Sequence, residues 1–187
     1  GVLYSLPDQK DTSRNSGFSM RKDIVDELGI TVPEVGTWDD MHDILVQVHE
    51  AYPDMYPVVS TWAGGGYQET LPIDPLDDSL GVLENIIESD STEVVSLHAT
   101  DSYREYCERM YQWNQEGLIM PDITTSTENN LLAGNGFAMI ENWKPGKEYE
   151  NYKSTGKEVV FMKLHEDNIK YTGCANSNSF IIPWSSE

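Results

Sequence analysis

Thr37-Trp38-Asp39-Asp40-Met41-His42-Asp43-Ile44-Leu45-Val46-Gln47-Val48-His49-Glu50 is the segment from which the rest of this 187-residue chain is read. Thr37 is an N-cap residue whose hydroxyl can accept a free amide of the first helical turn. Asp40 stands where the acid of a capping box belongs, in place of the usual Glu or Gln. Trp38, Met41, Ile44, Leu45 and Val48 then recur at helical spacing, with Asp39, Asp43, Gln47 and Glu50 opposite. The spacing predicts a helix with one buried face, closed by Pro53 and Pro57. Pro57-Val58-Val59-Ser60 follows at once and reads as a buried strand.

On the N-terminal side, the apolar run from Val2 to Leu6, ended by Pro7, predicts a strand. Residues 9–16 are polar and turn-like. Gly17-Phe18-Ser19-Met20 leads into a short helix from Arg21 to Leu28, stopped by Gly29 just past its C-cap. On the C-terminal side, residues 61–75 read as a loop around Gly64-Gly65-Gly66. Residues 81–87 and 93–98 read as short strands joined by the turn Ser89-Asp90-Ser91. A second strong helix begins at Asp101 or Ser102 and ends at Gly117, with Tyr103, Tyr106, Cys107, Met110, Tyr111 and Asn114 on one side. A short helix over 126–132, a strand over 137–140, a helix over 146–152 and a strand over 159–164 follow. The apolar run Phe180-Ile181-Ile182-Pro183 closes the sequence. Strands alternating with helices favour an α/β layered domain. No repeat, low-complexity tract or internal linker divides it, so the expectation is a single unit over 1–187.

Composition narrows the function. Acidic residues number 32 against 12 basic ones, a formal net charge of −20. Such a charge repels phosphate backbones and anionic lipid surfaces, so no nucleic-acid partner is expected. No run of about 18 apolar residues is present to span a bilayer. Neither a signal peptide nor a lipid-attachment motif appears, and the opening Gly1-Val2-Leu3-Tyr4 reads as the middle of something. Cys107 and Cys174 are too few for a disulfide framework and leave both a single bridge and two free, partly buried thiols open.

The order of these segments resembles the second lobe of family 1 extracellular solute-binding proteins, particularly the large lipoprotein branch of Gram-positive bacteria. The landmarks are Val2-Leu3-Tyr4-Ser5-Leu6-Pro7, then Gly17-Phe18-Ser19-Met20-Arg21-Lys22-Asp23, then Asp26-Glu27-Leu28-Gly29-Ile30 with Pro33. After these come the Thr37-Trp38-Asp39-Asp40 helix start and Tyr111-Gln112-Trp113-Asn114-Gln115-Glu116-Gly117-Leu118-Ile119. Leu132-Ala133-Gly134-Asn135-Gly136-Phe137-Ala138-Met139 and Asn178-Ser179-Phe180-Ile181-Ile182-Pro183 complete the series. No one landmark is specific, but their order across nearly the whole chain is. The resemblance implies one lobe of a type II periplasmic-binding-protein-like fold, with the first lobe absent and the two ends lying at hinge crossings. It further implies an extracellular, lipid-anchored protein that closes two lobes on a small-molecule solute, an oligosaccharide above all, and presents it to an ABC permease.

Sugars are held by aromatic faces with polar side chains on the hydroxyls. Trp38 and Trp113 lie on helical patterns and read as core. Trp62 precedes the glycine loop, and Trp143 precedes Pro145-Gly146. Both therefore stand just beyond the carboxyl end of an expected strand, where open α/β sheets bind ligands. The family resemblance points to the same two loops. Tyr67, Glu69 and Asn142 flank them as candidate hydroxyl partners. Arg21 stands where the family often presents a polar contact, and is otherwise a charge at a helix start. Asn176, Asn178 and Trp184 lie near the closing strand.

Other classes fare less well. A glycoside hydrolase needs a carboxylate pair, but with so many acids some pair is inevitable and decides nothing. Neither a nucleophile-elbow motif nor a phosphate loop occurs, so no enzyme activity and no cofactor are expected. His42 and His49 are too far apart on one helix to share an ion, His98 and His165 are isolated, and residues 74–78 lack an EF-hand pattern, so no metal site is expected. The remaining alternative is a freestanding extracellular interaction or glycan-binding module.

Overall fold

The computed structural model describes residues 6–7, 13–59, 74–77, 82–84, 94–123, 125, 134–164, 169–170 and 179–180. Strand β1, Leu6–Pro7, is followed by β2, Ser13–Arg21, and helix α1, Lys22–Leu28, which ends at Gly29 in the left-handed region with φ 65°. Helix α2, Trp38–Ala51, starts at the expected capping box. The Thr37 hydroxyl accepts from the Asp40 amide at 3.1 Å, and the Asp40 carboxylate accepts from the Thr37 amide at 2.7 Å. Its Met41, Ile44, Leu45 and Val48 are buried, the face that the spacing predicts.

Next come β3, Tyr56–Val58, then β4, Asp74–Asp77, β5, Val82–Glu84, and β6, Val94–Ser96, which form a separate antiparallel sheet of three strands. Helix α3, Asp101–Gln115, is capped by the Thr100 hydroxyl. Strand β7, Gly136–Trp143, helix α4, Lys147–Thr155, and strands β8, Val159–Lys163, β9, Ile169–Lys170, and β10, Ser179–Phe180, complete the described elements.

The main sheet has the order β3-β7-β2-β8, with β9 on the first residues of β2. Strand β2 runs antiparallel to both neighbours, while β3 is parallel to β7. Hence β3, β7 and β8 all point one way, and their carboxyl ends share one edge with the amino end of β2. Single parallel bridges, Val58 to Ile119 and Val35 to Lys163, extend the sheet on its two sides.

Alternation along β2 sends Phe18 and Met20 to one face. There they pack with Ile24, Met41, Leu45, Val48, Trp113 and Met162 in the principal core. An aromatic cluster ties α2 and α3 to this face: Trp38 lies 5.6 Å from Phe18 and 5.7 Å from Trp113 between ring centroids. The reading of Trp38 and Trp113 as core residues agrees with these contacts, and Trp113 is 1% exposed. Helix α4 covers the opposite face, where Asn151 is buried against Glu141. The result is a mixed α/β fold with helices on both faces of its sheet.

Several local expectations are corrected. Residues 13–16 are strand, not turn, because β7 and β9 supply pairing partners that outweigh their polar character. Residues 74 and 75, the end of the expected loop over 61–75, pair with β5 and are strand. Within the expected strand over 93–98, residues 94–96 are extended, and Leu97–Ala99 turns into a 3-10 helix. On α3 the buried side runs through Trp113, so Tyr111 is exposed and Cys107, expected to be partly buried, is an exposed free thiol. The expected helix over 126–132 and Cys174 lie outside the described residues.

Candidate functional site

The carboxyl edge of the main sheet is built around the end of β7. Pairing with β2 carries β7 through Asn142 and Trp143, opposite Ser16 and Asn15. Trp143 is thus the last residue of a strand and not a loop residue, a correction that fixes the side chain to one face of the sheet. The chain then turns at Lys144, Pro145 and Gly146, the last with φ 85°, before α4 begins.

Register determines what Trp143 meets. Directly opposed residues of neighbouring strands share a face, and the face alternates along each strand. Glu141 opposes Gly17, and Ser19 opposes both Met139 and Phe161, so Trp143, Glu141, Ser19 and Phe161 all stand on the face covered by α4. The indole of Trp143 stacks on the Phe161 ring with centroids 4.4 Å apart and planes within 10°. Gly17 makes this possible. A Cβ there would collide with the Met162 carbonyl oxygen and come within 2.9 Å of Phe161 Cζ. Both aromatic residues remain partly exposed.

Beside the stack, Glu141 is buried and fully engaged. Its Oε1 accepts from the Ser19 hydroxyl and from Asn151 Nδ2 at 2.6 Å, and Lys147 Nζ lies 3.2 Å from Oε2. A buried carboxylate left without partners would be strongly unfavourable, and this set of donors holds it in place. Lys144 bonds Glu150 at 2.7 Å and keeps that carboxyl below its usual value. Asn142 points to the other face, where its Oδ1 accepts from the Ser16 hydroxyl at 3.1 Å.

The structure brings Asn142 and Trp143 to one edge and sets Arg21 at the other. Arg21 lies six positions along β2 from Asn15, about 20 Å at strand rise. Its guanidinium is occupied there: Nε and Nη2 donate to Asp23 at 3.0 and 2.7 Å, and Nη1 donates to the Gly134 carbonyl at 2.7 Å. Trp62, Tyr67, Glu69, Asn176, Asn178 and Trp184 lie outside the described residues. Sequence reading missed Gly17, Ser19, Glu141, Lys147, Asn151 and Phe161. Alternation alone separates Phe161 from Met162 by face, but nothing local to residues 159–163 gives the register that sets Phe161 against Trp143.

A separate cleft of about 330 Å3, lined by Lys22, Glu148, Tyr149, Tyr152, Glu158 and Val159, opens near Arg21, away from Trp143. Among the described residues, no group of three or more His, Cys, Asp or Glu side chains is placed to hold a metal ion. No described helix is long and apolar enough to cross a membrane.

Comparison with known proteins sets this geometry in context. No model of a known protein family matches the chain. It is 23% identical over 130 residues to a carbohydrate ABC transporter substrate-binding protein of Streptococcus pneumoniae serotype 4, a match covering 67% of this chain and 25% of the relative. The chain thus spans about a quarter of the length of that curated relative. By fold, it is similar to the N-glycan transport solute binding protein NgtS of Streptococcus pneumoniae. With Man1GlcNAc bound, that protein superposes with a TM-score of 0.76 at 18% identity, over 99% of this chain and 41% of NgtS. Its complex with Man5GlcNAc gives 0.74 at 20% identity, over 97% and 40%. A family 1 extracellular solute-binding protein of Alicyclobacillus acidocaldarius gives 0.56 at 14% identity, over 88% and 39%. The chain is thus similar in sequence to part of a carbohydrate ABC transporter substrate-binding protein, and its α/β fold is similar to one part of these solute-binding protein structures.

Proposed function

We propose that this chain is the second, ligand-contacting lobe of an extracellular solute-binding protein that captures an oligosaccharide for an ABC importer. The observation that carries the reading is the partly exposed Trp143 indole, stacked and held at the carboxyl edge of a sheet with this fold. A flat, rigid aromatic surface there suits the apolar face of a sugar ring, and the edge is where open α/β sheets take ligands. Homology to a carbohydrate ABC transporter substrate-binding protein supports the same ligand class.

In this reading Trp143 is the stacking contact, and Asn142 offers its amide to hydroxyls. The chain leaving β3 after Val59 starts from the same edge, which supports Trp62, Tyr67 and Glu69 as further contacts. Arg21, held by Asp23 and Gly134 at the far end, is assigned to structure and not to ligand. Antiparallel pairing of Leu6–Pro7 with Ser179–Phe180 brings the opening and closing segments together, as two hinge crossings require. A first lobe would complete the cleft, and ligand contacts on both lobes would favour the closed state over the open one. The protein binds and releases its solute unchanged, delivers it to a membrane permease, and is tethered by lipid to the outer face of the cell membrane.

Calorimetric titration with Man1GlcNAc, Man5GlcNAc, a fructan and mannitol tests this, on the chain alone and on a two-lobed protein that carries it. At least one saccharide is expected to bind the two-lobed form more tightly. W143A is expected to weaken that binding about 30-fold, as loss of a central aromatic anchor worth about 2 kcal/mol does. Unchanged affinity in W143A refutes the contact, and silence from every saccharide refutes the ligand class.

A further inference from the structure

We infer that Phe161, laid across Gly17, is a positioning residue that fixes the Trp143 indole in one orientation and leaves a single ring face for the ligand. The inference rests on the proposed role of Trp143 and adds what controls it. Trp143 and Phe161 belong to β7 and β8, which do not touch as strands, since β2 runs between them. Trp143 is level with Asn15 and Phe161 with Ser19, and Gly17 lies midway. Two rings from flanking strands that meet this closely above the middle strand leave no room for a side chain on the residue beneath them. Gly17 meets that condition, and the space a Cβ would fill is taken by the Phe161 ring edge and the Met162 carbonyl.

The stack has two consequences. With planes within 10° and centroids 4.4 Å apart, one face of the indole is covered by Phe161 and closed to a sugar. The same contact restrains the rotation of a side chain that stands at the very end of its strand, where strand pairing holds it least. On this face the neighbouring Glu141 is tied to Ser19, Asn151 and Lys147, so the ground beside the stack is fixed as well. A platform ordered before the ligand arrives loses less freedom on binding.

The test pairs a spectroscopic readout with affinity, on the isotope-labelled protein, with Man5GlcNAc as probe and the Trp143 indole signal assigned through W143F. F161L keeps an apolar side chain but removes the ring. It is expected to move the Trp143 indole resonance, lower its order parameter and weaken Man5GlcNAc binding about 2- to 12-fold, the range for an aromatic pair. F161Y is expected to restore both. In a W143A background, F161L should weaken binding no further, because Phe161 acts through Trp143. An indole signal unmoved by F161L overturns the inference. So does a loss from F161L that persists at full size without Trp143. If W143A leaves affinity unchanged while F161L still shifts the indole, the sugar-contact reading of Trp143 is what fails.

Discussion

Arg21 and Asp23 show how a charged residue at a suggestive position is claimed by structure. The Arg21 guanidinium forks onto Asp23 and reaches the Gly134 carbonyl, so each of its three nitrogens already has a protein partner. The hydrogen bond from Arg21, with Lys157 nearby, holds the Asp23 carboxyl at about 2, below its ordinary 3.8. A carboxyl depressed in the folded state adds stability that is complete above its unfolded value and is lost as pH falls through its folded one. Stability from this group is therefore expected to decline between 3.8 and about 2. D23N should be less stable than the parent at neutral pH, with a shallower acid decline over that window in chemical denaturation. Parallel acid declines for the two proteins would show that the pair contributes nothing. The side chain of Asp23 is half exposed, so the difference is expected to be small.

At the level of elements, what was legible in sequence was local and what was hidden was pairing. Helix α2 could be read in full, because its cap, its acids and its apolar stripe lie within one stretch of chain. Strand β2 could not. Ser13-Arg14-Asn15-Ser16 has the composition of a turn, and only β7 and β9, both more than 100 residues away in sequence, make it a strand. The same pairing extends β7 to Trp143 and turns an expected loop residue into a strand end. The position of Trp143 at the carboxyl edge was thus legible, while its stacking partner and the glycine beneath it were not. Two substitutions separate these levels. T37A removes a local cap and is expected to lower stability by about 1 kcal/mol, or about 2–4 °C in melting temperature. G17A drives a Cβ into the Met162 backbone carbonyl, a group that cannot swing aside, and is expected to lose about 3 kcal/mol. Equal melting temperatures for the two variants would contradict the account of β2 as the strand on which the sheet is registered.

On the scale of the whole molecule, the sheet has two unlike ends. One carries Trp143 on Phe161, with Asn142 on Ser16. The other carries the Arg21 pair and, near it, a cleft walled by Tyr149 and Tyr152. Both ends offer aromatic surface, and a net charge of −20 favours neither. The proposed site takes the Trp143 end, where the carboxyl ends of β3, β7 and β8 lie together, the place at which open α/β sheets bind ligands. The most direct measurement is an amide and indole NMR titration with Man5GlcNAc, the glycan bound in one of the similar structures. The account predicts saturable shifts of the Trp143 indole and of the amides of Ser16, Gly17 and Asn142, with Lys22, Tyr149 and Tyr152 unmoved. Saturable shifts confined to Lys22, Tyr149, Tyr152 and Val159, with a still Trp143 indole, would contradict it and place the ligand at the opposite end of the sheet.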